Sequence, residues 1–398
     1  MNSDNSKEIP LVKFGNVCKF QGGNGFKEEI QGLKSGDFPF IKVSDMEILS
    51  NKKYILDANN WIDQKTSIKE SIKLFPKNSV VFAKVGAALL LNRRRILTRD
   101  TAIDNNMMAA IPENIEFEFL FYLLSNIDFS NFVQSGAVPS VNQTQLSSIE
   151  ILLPCSNEQE KIAEVLSTID RAIAQTEAII AKQQRIKTGL MQDLLTKGID
   201  ENGNIRSEAT HEFKDSAIGR IPIEWGVETI GKIASLQRGH DIREVEFISG
   251  NYPVIASSGV IGFHNIRTSD SPNVVVGRKG SIGNIYYLDI DFWAHDTSLY
   301  VTNFFGNNEK YIYYLFSYLE LERFGTKSGS PSLNRNDIHP LKISLPNPPE
   351  QKRISKILSY FDTSIANLKS GLNKLQHQKT GLMQDLLTGK VRVTNLLK

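Results

Sequence analysis

The chain has 398 residues, two domains' worth by length, and 40% hydrophobic content is enough for packed cores. Its 46 basic and 44 acidic residues leave a formal charge of +2, so bulk charge does not commit it to nucleic acid and any basic surface must be local. Cys18 and Cys155 stand far apart and outside any CxxC spacing, which excludes a disulfide framework and a structural zinc site. That usage suits a reducing cytoplasm. No apolar run approaches the ~18 residues of a membrane span, and MNSDNSKEIP lacks a signal-peptide pattern, so neither secretion nor membrane insertion is expected.

In chain order, residues 1–154 read as a first body of mixed α/β, an α+β arrangement. Short β-branched runs such as Ser79 to Ala83 lie between glycine-rich turns, and an aromatic helix, FEFLFYLLSNI at 117 to 127, closes the body. Gly22-Gly23-Asn24-Gly25 fits neither the dinucleotide fingerprint nor a phosphate loop and reads as a turn. Asn92-Arg93-Arg94-Arg95, with Arg99, forms a basic loop. A helix spanning 155–198 follows Pro154, capped by Ser156 or Asn157. Its apolar seam, Ile162, Leu166, Ile169, Ile173, Ile180, Leu190 and Leu194, has heptad-like spacing. Residues 199–218 have the polar composition of a linker.

The second body, 219–346, opens on Gly219-x-Ile221-Pro222-x2-Trp225. It carries the run Asn273 to Val276 and the aromatic helix EKYIYYLFSYL at 309 to 319. Its loops hold Gln237-Arg238-Gly239-His240 with Arg243, His264-Asn265-Ile266-Arg267, and Arg278-Lys279-Gly280-Ser281. Arg, Gln, Asn and His beside glycines are groups that reach phosphates and base edges, and they also populate ordinary surfaces. A second helix, 347–390, starts at Pro348 and Pro349 and carries the seam Ile354, Leu358, Phe361, Ile365, Leu368, Leu372, Leu375, Leu382 and Leu386. Residues 391–398 form a tail.

The bodies and helices are a tandem repeat. TGLMQDLLT occurs at Thr188 to Thr196 and again at Thr380 to Thr388, and at that spacing Pro154 to Thr196 matches Pro346 to Thr388 at 21 of 43 positions. The register extends back through Pro139, Ser140 and Asn142, which face Pro331, Ser332 and Asn334. Further upstream it breaks, and Val12-Lys13-Phe14-Gly15 matches Glu228-Thr229-Ile230-Gly231 at an offset of 216. The ends of each unit were kept alike while the interiors diverged. A helix of about 37 residues is ~55 Å long, too long to bury its seam against a small domain, so the two seams are expected to pack on each other.

No catalytic constellation emerges. Asn347-Pro348-Pro349-Glu350 lacks the aromatic ring of the amino-methyltransferase motif, and its counterpart Cys155-Ser156-Asn157-Glu158 lacks the prolines. Glu350-Gln351-Lys352 resembles a nuclease ExK pair, but its counterpart Glu158-Gln159-Glu160 has no lysine, so both read as first-turn helix charges. The six histidines, His211, His240, His264, His295, His339 and His377, make no paired metal spacing, and His295-Asp296 near Ser298 is too generic for a triad. A binding or adaptor protein fits better than an enzyme.

The two copies of LP-x3-EQ-x2-I-x3-LS-x2-D-x2-IA ending in KTGLMQDLLT, with the Gly219 to Trp225 opening, resemble the specificity subunit of type I restriction-modification systems over essentially the full chain. The resemblance implies two target-recognition domains in tandem repeat, separated by two long antiparallel coiled-coil helices. Each domain would read one half of a split double-stranded DNA target. It also implies partners: two modification subunits that bind S-adenosylmethionine and methylate adenine, and restriction subunits that use ATP and Mg to translocate and cut DNA. The chain itself would hold no cofactor and no metal. Its helices would act as a ruler, since one helical turn of DNA is ~34–36 Å.

On this basis DNA contacts are expected from Arg93, Arg94, Arg95, Arg238, Arg243, Arg267, Arg278 and Lys279. Arg94 is expected to touch phosphate, so that Arg94→Ala weakens binding to all sequences. The outer helix charges Glu164, Arg171, Glu177 and Lys182 would face the modification subunits or solvent. In the seam, the polar Gln183, Lys187 and Lys379 would fix register, and Gln183→Leu would keep the fold but loosen half-site spacing. The first body lacks the Gly-x-Ile-Pro-x2-Trp opening, with Ile9-Pro10 as its remnant. Two alternatives stand beside this reading. A stand-alone adenine methyltransferase would bind S-adenosylmethionine by itself, and a coiled-coil scaffold would capture proteins but no DNA.

Overall fold

The computed structural model describes residues 9–132, 138–325 and 331–397. The chain divides into two compact units, residues 1–176 with 371–398 and residues 177–370. The division falls inside the two long helices, Ser156–Thr196 and Pro348–Leu387. Each unit therefore takes one body, the start of that body's own helix and the end of the other helix.

In unit 1 a five-stranded sheet runs in the order Cys18–Gly22, Met107–Pro112, Val80–Ala83, Arg94–Leu97, Tyr54–Ile55. Beside it stand a four-stranded sheet, Trp61–Ile62, Phe38–Ile41, Thr101–Ile103, Leu74–Phe75, and the antiparallel pair Leu11–Lys13 with Glu150–Leu152. Val80, Val81 and Phe82 are fully buried. A central strand covered on both faces reads as a continuous apolar run, without alternation. The aromatic helix is Phe117–Asn126, and its first turn is capped by the Glu116 carboxylate, which accepts from the Phe119 N–H. Residues 119–124 of that helix pack with Phe14, Phe20, Phe82 and Phe129 into one core.

Ile162 and Leu166 join this core from the start of the first long helix, and Leu386, Leu387 and Val393 join it from the 371–398 segment. The sequence expectation paired the two seams with each other, and at the helix ends they bury against the body as well. Each such side chain taken out of water contributes about 1.5–3 kcal/mol.

Unit 2 repeats the plan with different trimmings. Its main sheet has the order Ser235–Arg238, Ser298–Asn303, Asn273–Gly277, Ile285–Leu288, next to a three-stranded sheet of Gly259–His264, Tyr252–Ala256 and Trp293–Ala294. Asn308 caps the aromatic helix Glu309–Tyr318 through the Tyr311 N–H. Leu194 and Leu195 from the end of the first long helix, and Ile354 and Leu358 from the start of the second, complete the core.

Two segments read as loose are packed. Within 199–218, Ile199 and Arg206 are buried, Ile199 bridges Ile205, and Phe213–Ser216 pairs with Gly219–Pro222. In 391–398, Val393 is buried in the unit 1 core. Polar composition disguised both, because what fixes them are one or two apolar anchors and a buried arginine contact. The pairings Leu11 with Leu152 and Val227 with Ser344 set the two units in register. Ile9 thereby falls at the position of Trp225, so Ile9-Pro10 is not the remnant of Ile221-Pro222. Consistent with this, an added Cβ at Gly389 would collide with Ile9, and one at Gly198 with Trp225.

Candidate nucleic-acid interface

The repeated helix motif proves to be an anchoring network, present once in each unit. Glu158 and Glu350 lie in the first turns of their helices, as read from sequence, and each is only 1% exposed. Arg392 donates to both Glu158 oxygens at 2.7 and 2.6 Å. Glu350 is held by Arg206 at 2.5 and 3.3 Å, by the Trp225 indole N–H at 3.2 Å and by the Ile199 amide at 2.9 Å. The neighbouring glutamines tie each long helix to the aromatic helix. The Gln159 amide donates to the Pro154 carbonyl and accepts from the Glu116 N–H, while Gln351 does the same with Pro346 and Asn308.

Further along, the Asp170 carboxylate accepts from the Tyr122 hydroxyl at 2.6 Å and pairs with Lys379 at 2.7 Å. In unit 2, Asp362 accepts from Tyr314 at 2.6 Å and pairs with Lys187 at 2.5 Å. Burial, then the hydrogen bond to the carboxylate, push both tyrosine hydroxyls well above the ordinary range. In each unit, then, partners rise along one long-helix segment as they fall along the other, which is an antiparallel pairing. Lys187 and Lys379 each face an aspartate. Gln183 does not acquire a partner: its side-chain oxygen is buried with no hydrogen bond among the described residues.

Of the eight cations expected to contact DNA, two are turned inward. Arg94 is 3% exposed, with its guanidinium 3.8 Å from the centre of the Phe129 ring and bonds to Asn92 and the Ile127 carbonyl. Burial pulls its pKa down to about 9. Arg95 is half-buried and spends its donors on the backbone oxygens of Asn51, Arg94 and Met46. The expectation that Arg94 touches phosphate is therefore corrected, because the aromatic pocket and those carbonyls already hold it.

The other six reach the surface, most of them already paired. Arg93 pairs with Glu47, Arg243 with Glu246, and Arg267 with Asp270 and Asp291. Arg238 pairs with Asp296 at 2.7 Å, whereas Arg278 donates to the backbone carbonyl of Asp296. Lys279 is exposed and bridges Ser332 through its backbone.

Arg238 and Arg278 are brought to one place. They line a cleft of about 730 Å³ with Gln237, Gly239, His240 and the segment Ser332 to Arg335. Arg335 was missed from sequence, and burial plus the charge of Arg335 hold the nearby His339 below its ordinary pKa. Like-charge Arg238, after burial, lowers Arg278 as well.

Unit 1 has the same cleft at about 380 Å³, lined by Lys84, Met108 and Ser140 to Thr144. The correspondence is structural. Met108 faces Gly22 and Phe82, as Leu299 faces Arg238 and Val276. Gly22 thus matches Arg238, and Lys84 matches Arg278. Val141 donates to the Lys84 carbonyl and Leu333 to the Arg278 carbonyl. Gly23 and Gly239 also coincide, and each admits no side chain because two carbonyl oxygens of a neighbouring segment stand where Cβ would go. Gly22 to Gly25, read as a turn, is thus the end of a strand and its continuation along Asp104.

Among the described residues no group of three or more His, Cys, Asp or Glu side chains could hold a metal ion, and no helix is long and apolar enough to cross a membrane.

Comparison with known proteins places this geometry. The Type I restriction modification DNA specificity domain matches residues 7–184 and again 222–377. A putative type I restriction enzyme specificity subunit of Methanocaldococcus jannaschii, MjaX, is 28% identical over 315 residues, covering 72% of each chain. The MjaVIII specificity subunit of the same organism is 27% identical over 424 residues, covering 97% of this chain and 93% of that one. Among solved structures, the S subunit of a type I restriction-modification system from M. genitalium shares the fold with a TM-score of 0.63 at 17% identity, over 97% of this chain and 98% of the other. With the family domain matched once in each half, the chain belongs to the type I restriction-modification DNA specificity family.

Proposed function

We propose that this chain is the DNA-specificity subunit of a type I restriction-modification complex. Each unit reads one half of a split DNA target, and the chain directs adenine methylation and cleavage carried out by partner subunits. The observation that supports this most is the duplication itself: two units keep one anchoring network, Glu158 with Arg392 and Glu350 with Arg206, while their loop residues differ. A protein that offers equivalent surfaces to two copies of one partner and different surfaces to two half-sites needs that combination.

The chain is non-catalytic in this reading, and S-adenosylmethionine, ATP and Mg are bound by its partners: two modification subunits and the restriction subunits. It acts in the cytoplasm. Base choice comes from loop side chains and affinity from phosphate contacts, to which the surface cations Arg93, Arg238, Arg243, Arg267, Arg278 and Lys279 contribute. The test is to sequence methylated adenines in a host carrying this chain with its modification subunit, and again with this chain deleted. A split motif with an unread gap that disappears on deletion is the expected result. Methylation that persists unchanged overturns the assignment.

A further inference from the structure

The two clefts agree in one respect that their packing does not require. The loop Pro139 to Asn142 and its counterpart Pro331 to Asn334 are explained by structure. Ser140 and Ser332 bridge a strand end, Val141 and Leu333 are buried, and Asn142 and Asn334 cap the short helices that follow. To that loop the facing residue gives its backbone carbonyl, accepting from the Val141 or Leu333 N–H, which any residue could do, and in unit 2 the Arg278 guanidinium also donates to the Asp296 carbonyl. Yet both units place a cation there, Lys84 and Arg278, in bodies whose other surface positions have diverged. At the adjoining position the units differ, Gly22 in one and Arg238 in the other.

Neither cation makes an ion pair among the described residues, although in unit 2 Asp241 lines the cleft and the Asp296 carboxylate, paired with Arg238, also acts on Arg278. The cleft around Lys84 is lined by no acidic side chain. Arg278 makes its bond to a carbonyl, and Arg335 on the same cleft is exposed with no ion pair among the described residues. A fixed positive group beside polar amides, at the same place in two units facing different sequences, matches what is chemically constant along DNA. That constant is the phosphodiester, not the bases.

We propose that the duplicated cleft is a phosphodiester-binding site, in which Lys84 in unit 1 and Arg278 in unit 2 hold the DNA backbone at equivalent positions of the two half-sites without reading sequence. The proposal rests on the DNA-specificity role argued above. Divergent neighbours such as Arg238 and His240 are then free to serve base choice.

The test uses the full chain assembled with its modification subunits, titrated with two duplexes over a range of salt. One duplex carries the methylated split motif and the other has both halves scrambled. Lys84→Gln and Arg278→Gln keep the backbone carbonyl that holds the loop, and thermal melting checks that the fold is retained. Each should weaken both duplexes by a similar factor, with the salt slope reduced by about 0.9, so that the affinity lost between 50 and 200 mM salt shrinks by roughly 3.5-fold. Lys84→Arg and Arg278→Lys should restore binding, and the methylated motif should stay the same in every variant. Weakening confined to the motif duplex would instead make these residues base readers and overturn the proposal. Lost association with the modification subunits at an unchanged salt slope would make the cleft a protein contact and overturn it equally. If the unmutated complex fails to distinguish the two duplexes, the specificity role itself has failed, an outcome separate from the other two.

Discussion

Arg392 and Glu158 lie 234 residues apart in the chain and form a two-point ion pair, with the glutamate 1% exposed. Arg206 and Glu350 repeat the pairing across 144 residues. In each unit the end of one helix is locked onto the start of the other by an arginine lying just beyond that end. A charge buried this deeply costs far more when left alone than the pair contributes when intact.

Arg206→Ala should therefore destabilise unit 2 by about 3–5 kcal/mol, and Arg392→Ala, which removes an arginine about one-third exposed, should destabilise unit 1 by less. Replacing Glu158 and Arg392 together with Gln and Met should recover a large part of the loss. Denaturant unfolding of the four proteins checks this, and single and double variants that unfold at the same midpoint would refute it.

Removing one hydroxyl probes the second contact of the network. Tyr122→Phe and Tyr314→Phe each delete a 2.6 Å hydrogen bond to a carboxylate, Asp170 or Asp362. A loss of about 1.5–3 kcal/mol is expected for each. In a double-mutant cycle, the Asp170 and Lys379 substitutions should be strongly non-additive. Additivity would mean that the ion pair does not form in solution.

Gln183→Leu should raise stability by about 1 kcal/mol, because it deletes a buried oxygen that has no hydrogen-bond partner among the described residues. The same variant tests register. If Gln183 fixes the helix pairing despite its cost, the unread gap in the methylated motif becomes variable, and an invariant gap shows that Lys187 and Lys379 suffice.

Arg94→Ala should lower unit 1 stability and leave the salt dependence of DNA binding untouched, since its guanidinium is stacked on Phe129 inside the domain. A change in salt slope with unaltered melting would contradict that.

One contributor to the pH behaviour of unit 2 is a histidine. His339 accepts a hydrogen bond from the Leu236 N–H through Nε2, and its pKa is lowered from 6.5, by burial first and Arg335 second. A base whose folded pKa lies below its unfolded one binds fewer protons folded, so stability is complete above about 6.5 and falls as the pH drops through the folded value. His339→Gln keeps an acceptor and removes the titration. Urea midpoints of the two proteins should diverge as the pH is lowered from 7 to 5, and parallel curves would exclude the effect.

Much of the architecture was legible because it is written in period and identity. The heptad seam, the aromatic helices and the buried strands Val80 to Ala83 and Asn273 to Gly277 each carry a local signal. The roles of Glu158 and Glu350 were not legible, since their partners lie in segments of polar composition far along the chain. Arg94 looked like a DNA contact because nothing near it in sequence announces Phe129. Lys84 was passed over although a signal existed: Ser79-Val80-Val81-Phe82-Ala83-Lys84 and Asn273-Val274-Val275-Val276-Gly277-Arg278 both end on a cation. Aligning the two strands, rather than the two helices, exposes it.

Unit 2 is one continuous stretch, 177–370, whereas unit 1 draws on residues 371–398 for part of its core and for Arg392. On the ribosome the order of synthesis and the order of completion are consequently inverted. The body made first waits, with the places of Leu386, Leu387 and Val393 unfilled, until the whole of the second unit has emerged. During that interval its apolar floor and the Glu158 carboxylate are open, so the nascent chain is most exposed to chaperones and proteases at the half that was translated earliest.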